Sequence, residues 1–93
     1  MNDIDWTLCV GPGWRPLVAR AVAAIEAAGY PVEQVKEKFG TLRIYYMGAY
    51  VPEVDEAVRE SGRVCEACGE PGRLRERGHW LMTRCDRCFE KGE

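Results

Sequence analysis

Apolar residues early in the chain repeat with the spacing of an α-helix. They follow the turn-forming segment Gly11-Pro12-Gly13 and form one apolar stripe at helical intervals. Pro16 is tolerated in a first helical turn, and Gly29 is the residue type that commonly ends a helix. The pattern therefore predicts a helix over residues 15–28. Its stripe consists of Trp14, Leu17, Val18, Ala21, Val22, Ile25 and Ala28.

Residues 32–46 change to the two-residue period of β-strands. Two runs, Val32 to Lys38 and Thr41 to Tyr46, flank Phe39-Gly40 and predict a hairpin with one buried face. We expect that face to pack on the first helix. The predicted shared core is Trp14, Leu17, Val22, Ile25, Val35, Phe39, Leu42 and Ile44. The opposite, outward face carries Lys36, Lys38, Arg43 and Tyr45.

A second, shorter helix is predicted from Pro52 to about Glu60, with Val51, Val54 and Val58 along one side. Another hairpin is predicted from Gly72 through Met82. The fold class is therefore α+β: a helix packed on a hairpin, a second helix and a C-terminal hairpin. The expected organisation is one compact unit with an α-β-β-α portion (1–62) and a C-terminal lobe (63–93).

Four cysteines of the C-terminal lobe form two C-x2-C pairs. Cys65 and Cys68 are separated from Cys85 and Cys88 by 16 residues, the spacing of a four-thiolate zinc site. Each pair can turn two sulfurs toward one ion, and the hairpin between them brings the pairs together. Gly69 follows the first pair, where such a turn favours a positive φ. We predict one structural Zn2+ in a zinc ribbon.

Two disulfides, or a redox-active C-x-x-C, are the alternatives to zinc. The chain contains five cysteines, so full pairing would leave one over, and redox motifs usually occur singly. The acidic start lacks the features of a signal peptide, and no apolar run approaches a membrane span. We therefore expect a cytoplasmic protein, where stable disulfides are uncommon. The fifth cysteine, Cys9, is expected to be a small buried hydrophobic residue.

Several segments of the chain form a specific combination: Gly13-Trp14-Arg15-Pro16-Leu17, Val35-Lys36-Glu37-Lys38-Phe39-Gly40-Thr41-Leu42-Arg43, Cys65-Glu66-Ala67-Cys68-Gly69, Trp80 and Cys85-Asp86-Arg87-Cys88. Together they resemble small proteins of unknown function from bacteriophages, prophages and their bacterial hosts. The resemblance covers roughly residues 11–88. It implies no activity, but it implies a bacterial or phage-infected host cell.

Arginines in the C-terminal lobe suggest a binding face. Arg73, Arg75 and Arg77 have strand period and point to one side, in the same hairpin as Trp80. Arginine and tryptophan dominate protein interfaces, and both also contact nucleic acids. A solvated face is the simpler interpretation of the same residues. Arg84 and Arg87 are expected nearby.

The charge balance is 13 basic against 15 acidic side chains, which is atypical of a protein that binds nucleic acid by charge alone. The outward hairpin face, with Lys36, Lys38, Arg43 and Tyr45, is a second candidate surface for single-stranded nucleic acid. His79 is expected in solvent, because four cysteines already fill a zinc tetrahedron.

No catalytic triad or phosphate-binding glycine loop occurs, so we predict that the protein is not an enzyme. The leading functional hypothesis is an adaptor or inhibitor of a host complex that acts through protein contacts. The alternative is a nucleic-acid-binding zinc ribbon. No membrane partner is expected.

Overall fold

The computed structural model describes residues 4–91 and has the predicted α+β order. Two short 3-10 helices (Trp6–Cys9 and Pro12–Trp14) precede the main elements. Four strands form two separate antiparallel hairpins. The elements are α1 (Arg15–Ala27), β1 (Val32–Lys38), β2 (Thr41–Tyr46), α2 (Pro52–Ser61), β3 (Arg73–Arg77), β4 (Trp80–Arg84) and α3 (Asp86–Glu90).

Helix α1 ends as the sequence predicts. Gly29 has φ 85°, a left-handed conformation that glycine adopts without side-chain strain. Its N–H donates to the carbonyl of Glu26 at 2.9 Å, and the N–H of Tyr30 donates to that of Ile25 at 3.1 Å. These two bonds satisfy two carbonyls in the last turn of the helix. The helix buries Leu17, Val18, Ala21 and Ile25.

Hairpin β1–β2 has the predicted strands, and its turn is Phe39-Gly40. Cross-strand neighbours include Val35 with Ile44 and Lys36 with Arg43. Val35 and Leu42 are buried, and Ile44 packs partly buried against the same core. The predicted buried face of the hairpin is therefore confirmed.

The predicted core is wrong at one residue, Phe39. It lies in the turn with φ 55°, and 64% of its surface is exposed. Trp14, Leu17, Ile25, Val35 and Leu42 are buried as predicted, while Val22 and Ile44 are partly buried beside them. Phe39 differs because the backbone leaves the strand after Lys38, so the alternation of faces ends there.

Helix α2 contacts both α1 and the hairpin. Val51 and Ala57 are buried, whereas Val54 is half-buried against the core. Ser61 is fully buried: its hydroxyl accepts the N–H of Leu42 at 3.2 Å and donates to the carbonyl of Val58 at 2.6 Å. The end of α2 is thereby fixed to strand β2, just before the first cysteine pair.

The C-terminal lobe packs against the front portion through hydrogen bonds and close backbone approach. The indole N–H of Trp14 donates to the carbonyl of Val64 at 2.7 Å, and the N–H of Gly13 donates to that of Glu66 at 2.7 Å. A Cβ on Gly13 would lie 1.9 Å from the carbonyl oxygen of Cys65. Only glycine therefore permits this contact between the two parts.

Within residues 4–91, no helix has the length and apolar character needed to span a membrane.

Candidate metal centre

The four cysteines of the two C-x2-C pairs converge, as predicted. Their sulfur atoms all lie within 4.8 Å of one another, and none is in a disulfide. The sulfurs of Cys68 and Cys85 are 3.7 Å apart. Four sulfurs at about 2.3 Å from a tetrahedral zinc ion lie about 3.8 Å from each other. The cluster formed by Cys65, Cys68, Cys85 and Cys88 therefore fits a zinc ion in both ligand type and size.

The first cysteine pair is held by a tight turn. The N–H of Gly69 donates to the carbonyl of Cys65 at 2.9 Å, and Gly69 has φ 88°. The N–H of Cys65 in turn donates to the carbonyl of Glu70 at 2.8 Å. The expected positive φ after the first pair is thus confirmed. The turn directs the sulfurs of Cys65 and Cys68 to the same point.

The second cysteine pair lies at the start of α3. Cys85 is the N-cap residue of this helix, and its sulfur accepts the N–H of Cys88 at 3.4 Å. Both ligands of the pair are therefore positioned by one short element.

Electrostatics within the cluster call for a cation. Burial raises the pKa of the Cys65 thiol, but backbone N–H groups of Cys85, Cys68 and Ala67 outweigh burial and lower that pKa to about 6. The thiol hydrogen bond to Cys85, together with the other nearby sulfurs, raises the pKa of Cys88 to about 12. Neighbouring thiolates oppose one another's ionisation, so four can be charged together only around a positive ion.

The ligand set leaves no vacant position on a tetrahedral ion. Zinc held by four cysteines is structural, whereas catalytic zinc keeps one position for water or substrate. His79 lies in the turn between β3 and β4 and is exposed, as expected. It is not part of the cysteine cluster. With four cysteine ligands, a bound tetrahedral ion would have no position left for water or substrate.

The three arginines predicted as a partner face contact α3 of their own lobe. Arg75 is paired with Asp86, and its guanidinium lies 4.9 Å from the ring centroid of Phe89. Arg77 lies 4.2 Å from the same centroid, and Arg73 is 3.7 Å from Asp86. Only 10% of the Arg75 side chain is exposed. The predicted common face is correct, but for Arg75 it is not a solvent-facing surface.

Trp80 is available for contact, because 68% of its surface is exposed. It lies directly opposite Arg77 in the β3–β4 register and so shares the arginine face. Partner binding by Arg73, Arg75, Arg77 and Trp80 stays a prediction. Trp80 is exposed, Arg73 is exposed but paired with Asp86, and Arg77 is partly engaged by Phe89.

A cleft that was not predicted from the sequence lies between the tips of the two hairpins. Its volume is about 280 Å3, and its lining residues are Glu37, Lys38, Phe39, His79, Trp80 and Leu81. Both large rings in this set are exposed. A signal was present in the sequence: a bulky aromatic residue immediately before Gly40 in a two-residue turn, where small polar residues are usual.

The outward face of hairpin β1–β2 carries cations without acidic partners. Lys36, Lys38 and Arg43 form no ion pair with any of residues 4–91. The Lys36 ammonium lies 5.7 Å from the ring centroid of Tyr45, and that of Lys38 lies 5.5 Å from the centroid of Phe39. The predicted mixture of basic and aromatic side chains on this face is confirmed.

The prediction for Cys9 is wrong. Cys9 ends the first 3-10 helix and is exposed rather than buried. The apolar contacts expected of it are made by its neighbour Val10, which is buried in the core.

Comparison with protein-family models gave no match, and comparisons with curated proteins and with solved structures also gave none.

Proposed function

We propose that this protein is a non-enzymatic binding module, stabilised by one structural zinc ion, that holds nucleic acid on the surface where its two hairpins meet. Support for a structural role of the metal comes from the four-cysteine ligand set, which fills a tetrahedral coordination sphere. The metal-bound lobe packs on the front portion through Trp14 and Gly13. Zinc binding therefore fixes the relative position of the two hairpins.

The observation that carries the proposal is the exposure of two large rings on one cleft. Phe39 and Trp80 come from different hairpins, yet both line the same cleft and both are mostly exposed. Single exposed apolar residues are normal on protein surfaces, but a converging group with a concave shape indicates a binding site. A partner that offers a flat or apolar group would complement the rings of Phe39 and Trp80.

Charge favours nucleic acid over protein as that partner. All three arginines on the candidate protein-binding face are engaged by Phe89 or Asp86. In contrast, Lys36, Lys38 and Arg43 lack acidic partners among residues 4–91 and lie on the face that leads to the cleft. Lysine is depleted in protein interfaces, whereas phosphate contacts depend on lysine and arginine.

An adaptor or inhibitor that binds a host protein complex is the second candidate. It is supported by exposed Trp80 and Arg73, which are residue types that dominate interface energetics. In this case the partner would contact the β3–β4 hairpin rather than the basic face of β1–β2.

Binding of zinc-loaded protein to labelled nucleic acids over a range of salt concentrations tests the proposal. We expect binding at low salt that weakens steeply as salt is raised, because phosphate contacts release counterions. Absence of binding to any DNA or RNA at low salt would overturn the proposal. Salt-tolerant capture of one host protein from a nuclease-treated bacterial lysate would then support the adaptor.

A further inference from the structure

We infer that the cleft between Phe39 and Trp80 receives an unstacked base of a single-stranded nucleic acid, and that Lys36, Lys38 and Arg43 contact the adjoining phosphates. This inference rests on the proposed function and specifies its ligand class and subsite. It is supported by backbone strain, by cleft geometry and by the arrangement of cations along the hairpin.

Phe39 occupies a position that disfavours it. Phe39 and Gly40 have φ 55° and 81°, the left-handed pair typical of a two-residue hairpin turn. Asparagine, aspartate and glycine are preferred at the first of these positions, because a bulky side chain is strained there. The ring also gains little from burial, since 64% of the residue is exposed. Strain at an exposed aromatic residue points to a contact outside the chain.

The two hairpins that carry Phe39 and Trp80 are joined to each other next to Phe39. The Thr83 hydroxyl donates to the Gly40 carbonyl at 2.7 Å in a buried bond, which joins β4 to the β1–β2 turn. A Cβ on Gly40 would lie 2.6 Å from the Leu74 side chain, so the hairpins touch at this point. The volume of about 280 Å3 lies below the range of pockets for larger organic ligands. A space of this size suits one planar group that contacts both Phe39 and Trp80.

Cations and rings alternate along the approach to the cleft. Lys36 lies beside Tyr45, Lys38 lies beside Phe39, and Arg43 is the cross-strand neighbour of Lys36. From the Gln34–Tyr45 pair to the Lys38–Thr41 pair the strand advances about 13 Å. Single strands are bound by this combination, in which bases stack on rings and basic groups follow the phosphates. A duplex keeps its bases stacked and offers them no ring contact.

The test measures anisotropy of fluorescent single strands of about 12 nucleotides, oligo-dT and oligo-U, with a duplex of equal length as comparison. Zinc-loaded natural protein should bind the single strands more tightly than the duplex. With three phosphate contacts, the slope of log affinity against log salt should be about −2, and Lys36→Gln or Arg43→Gln should reduce its magnitude by about 0.7.

Ring variants test the cleft itself. Trp80→Ala and Phe39→Asn should each weaken single-strand binding by about 5- to 150-fold and leave zinc content unchanged. Phe39→Asn places a preferred residue in the turn, so weaker binding by this variant does not arise from misfolding. Tyr50→Ala and Arg63→Gln are matched controls, since both residues are exposed and lie outside the cleft and the basic face.

The possible results separate the two proposals. If the natural protein binds no nucleic acid, the proposed function fails and this inference fails with it. If it binds nucleic acid but prefers duplex, or if Trp80→Ala and Phe39→Asn bind as tightly as the natural protein, the inference alone is overturned. Loss of single-strand binding in both ring variants, with both controls unaffected, supports the cleft as the base site.

Discussion

The hydroxyl of Thr83 donates a buried hydrogen bond of 2.7 Å to the backbone carbonyl of Gly40. Thr83 is fully buried in strand β4, and Gly40 forms the turn of the other hairpin. The two residues are 43 positions apart in the chain. This bond therefore couples the C-terminal lobe to the β1–β2 turn, next to Phe39, which lines the aromatic cleft.

Thr83→Val should lower the free energy of unfolding by about 1–3 kcal/mol. The change keeps the shape of the side chain but leaves the buried carbonyl of Gly40 without a donor. Chemical denaturation of the zinc-loaded protein measures the loss. Thr41→Val is the matched control, because the Thr41 hydroxyl donates to the Lys38 carbonyl in an exposed bond. If both changes lowered the free energy of unfolding by the same small amount, the buried bond would contribute no more stability than the exposed one.

Phe39→Asn should raise the free energy of unfolding by up to about 1 kcal/mol. Asparagine tolerates a left-handed conformation, and Asn-Gly is a preferred pair for this turn. The ring that is removed is mostly exposed, so little buried apolar area is lost. Thermal and denaturant unfolding measure the change. A loss of about 3–5 kcal/mol would instead indicate that the ring is buried in solution.

Gly13→Ala should destabilise the protein by about 3 kcal/mol or more, because overpacking against rigid backbone cannot relax. The added methyl would overlap the carbonyl oxygen of Cys65. Gly29→Ala is the informative comparison: it also alters a glycine, but no atom lies within 4 Å of the added Cβ. That change should cost only the backbone strain, about 1–2 kcal/mol. Denaturant unfolding of both variants would rank them. The reverse order would contradict the close approach of the two parts.

The elements with local signals were predictable from the sequence. Helix α1 follows from its apolar period and from Gly29, and the metal ligands follow from the spacing between Cys65 and Cys88. These features depend on residues within a few positions of each other, or on a ligand geometry that zinc imposes.

The features that depend on contacts between elements were not predictable. Phe39 fits the alternating pattern of the strand, and only the backbone turn at Gly40 takes it off the buried face. The arginines of β3 lie on one face, as expected. The side chains that cover Arg75, however, depend on the direction in which α3 continues from Cys85. That direction depends on contacts between elements, which a local sequence pattern does not encode.

Zinc removal should unfold the C-terminal lobe. Apolar residues there are few, whereas structural zinc contributes on the order of 10–16 kcal/mol of apparent binding free energy. Cys68→Ser should lose the metal, and Cys9→Ser should retain it because Cys9 is outside the cluster. Metal analysis gives the zinc content, and amide exchange after chelation locates the unfolded residues. Protein purified without chelators that contains no zinc would refute the metal assignment.

Glu66→Gln should be at least as stable as the natural protein at pH 8. Burial raises the pKa of the Glu66 carboxyl above its ordinary value, and nearby Glu37 adds to the rise, although the Gly11 N–H donates to the carboxylate at 3.1 Å. The folded protein therefore binds this proton more readily than the unfolded chain does. The resulting stabilisation is fully present below the unfolded-state pKa, about 4.3, and is lost as pH rises through the folded-state value. Glutamine is neutral throughout and can still accept the Gly11 N–H through its amide oxygen.

The advantage of Glu66→Gln should accordingly be largest at pH 8 and should shrink as the pH falls toward 5.5. Denaturant unfolding with excess zinc at both pH values measures the difference between the two proteins under the same metal loading. Glu70→Gln serves as the control, because Glu70 is exposed in the same turn and its side chain forms no ion pair with any of residues 4–91. A Glu66→Gln protein that is less stable by the same amount at both pH values would show that the carboxylate charge stabilises the fold, the opposite of what its burial indicates.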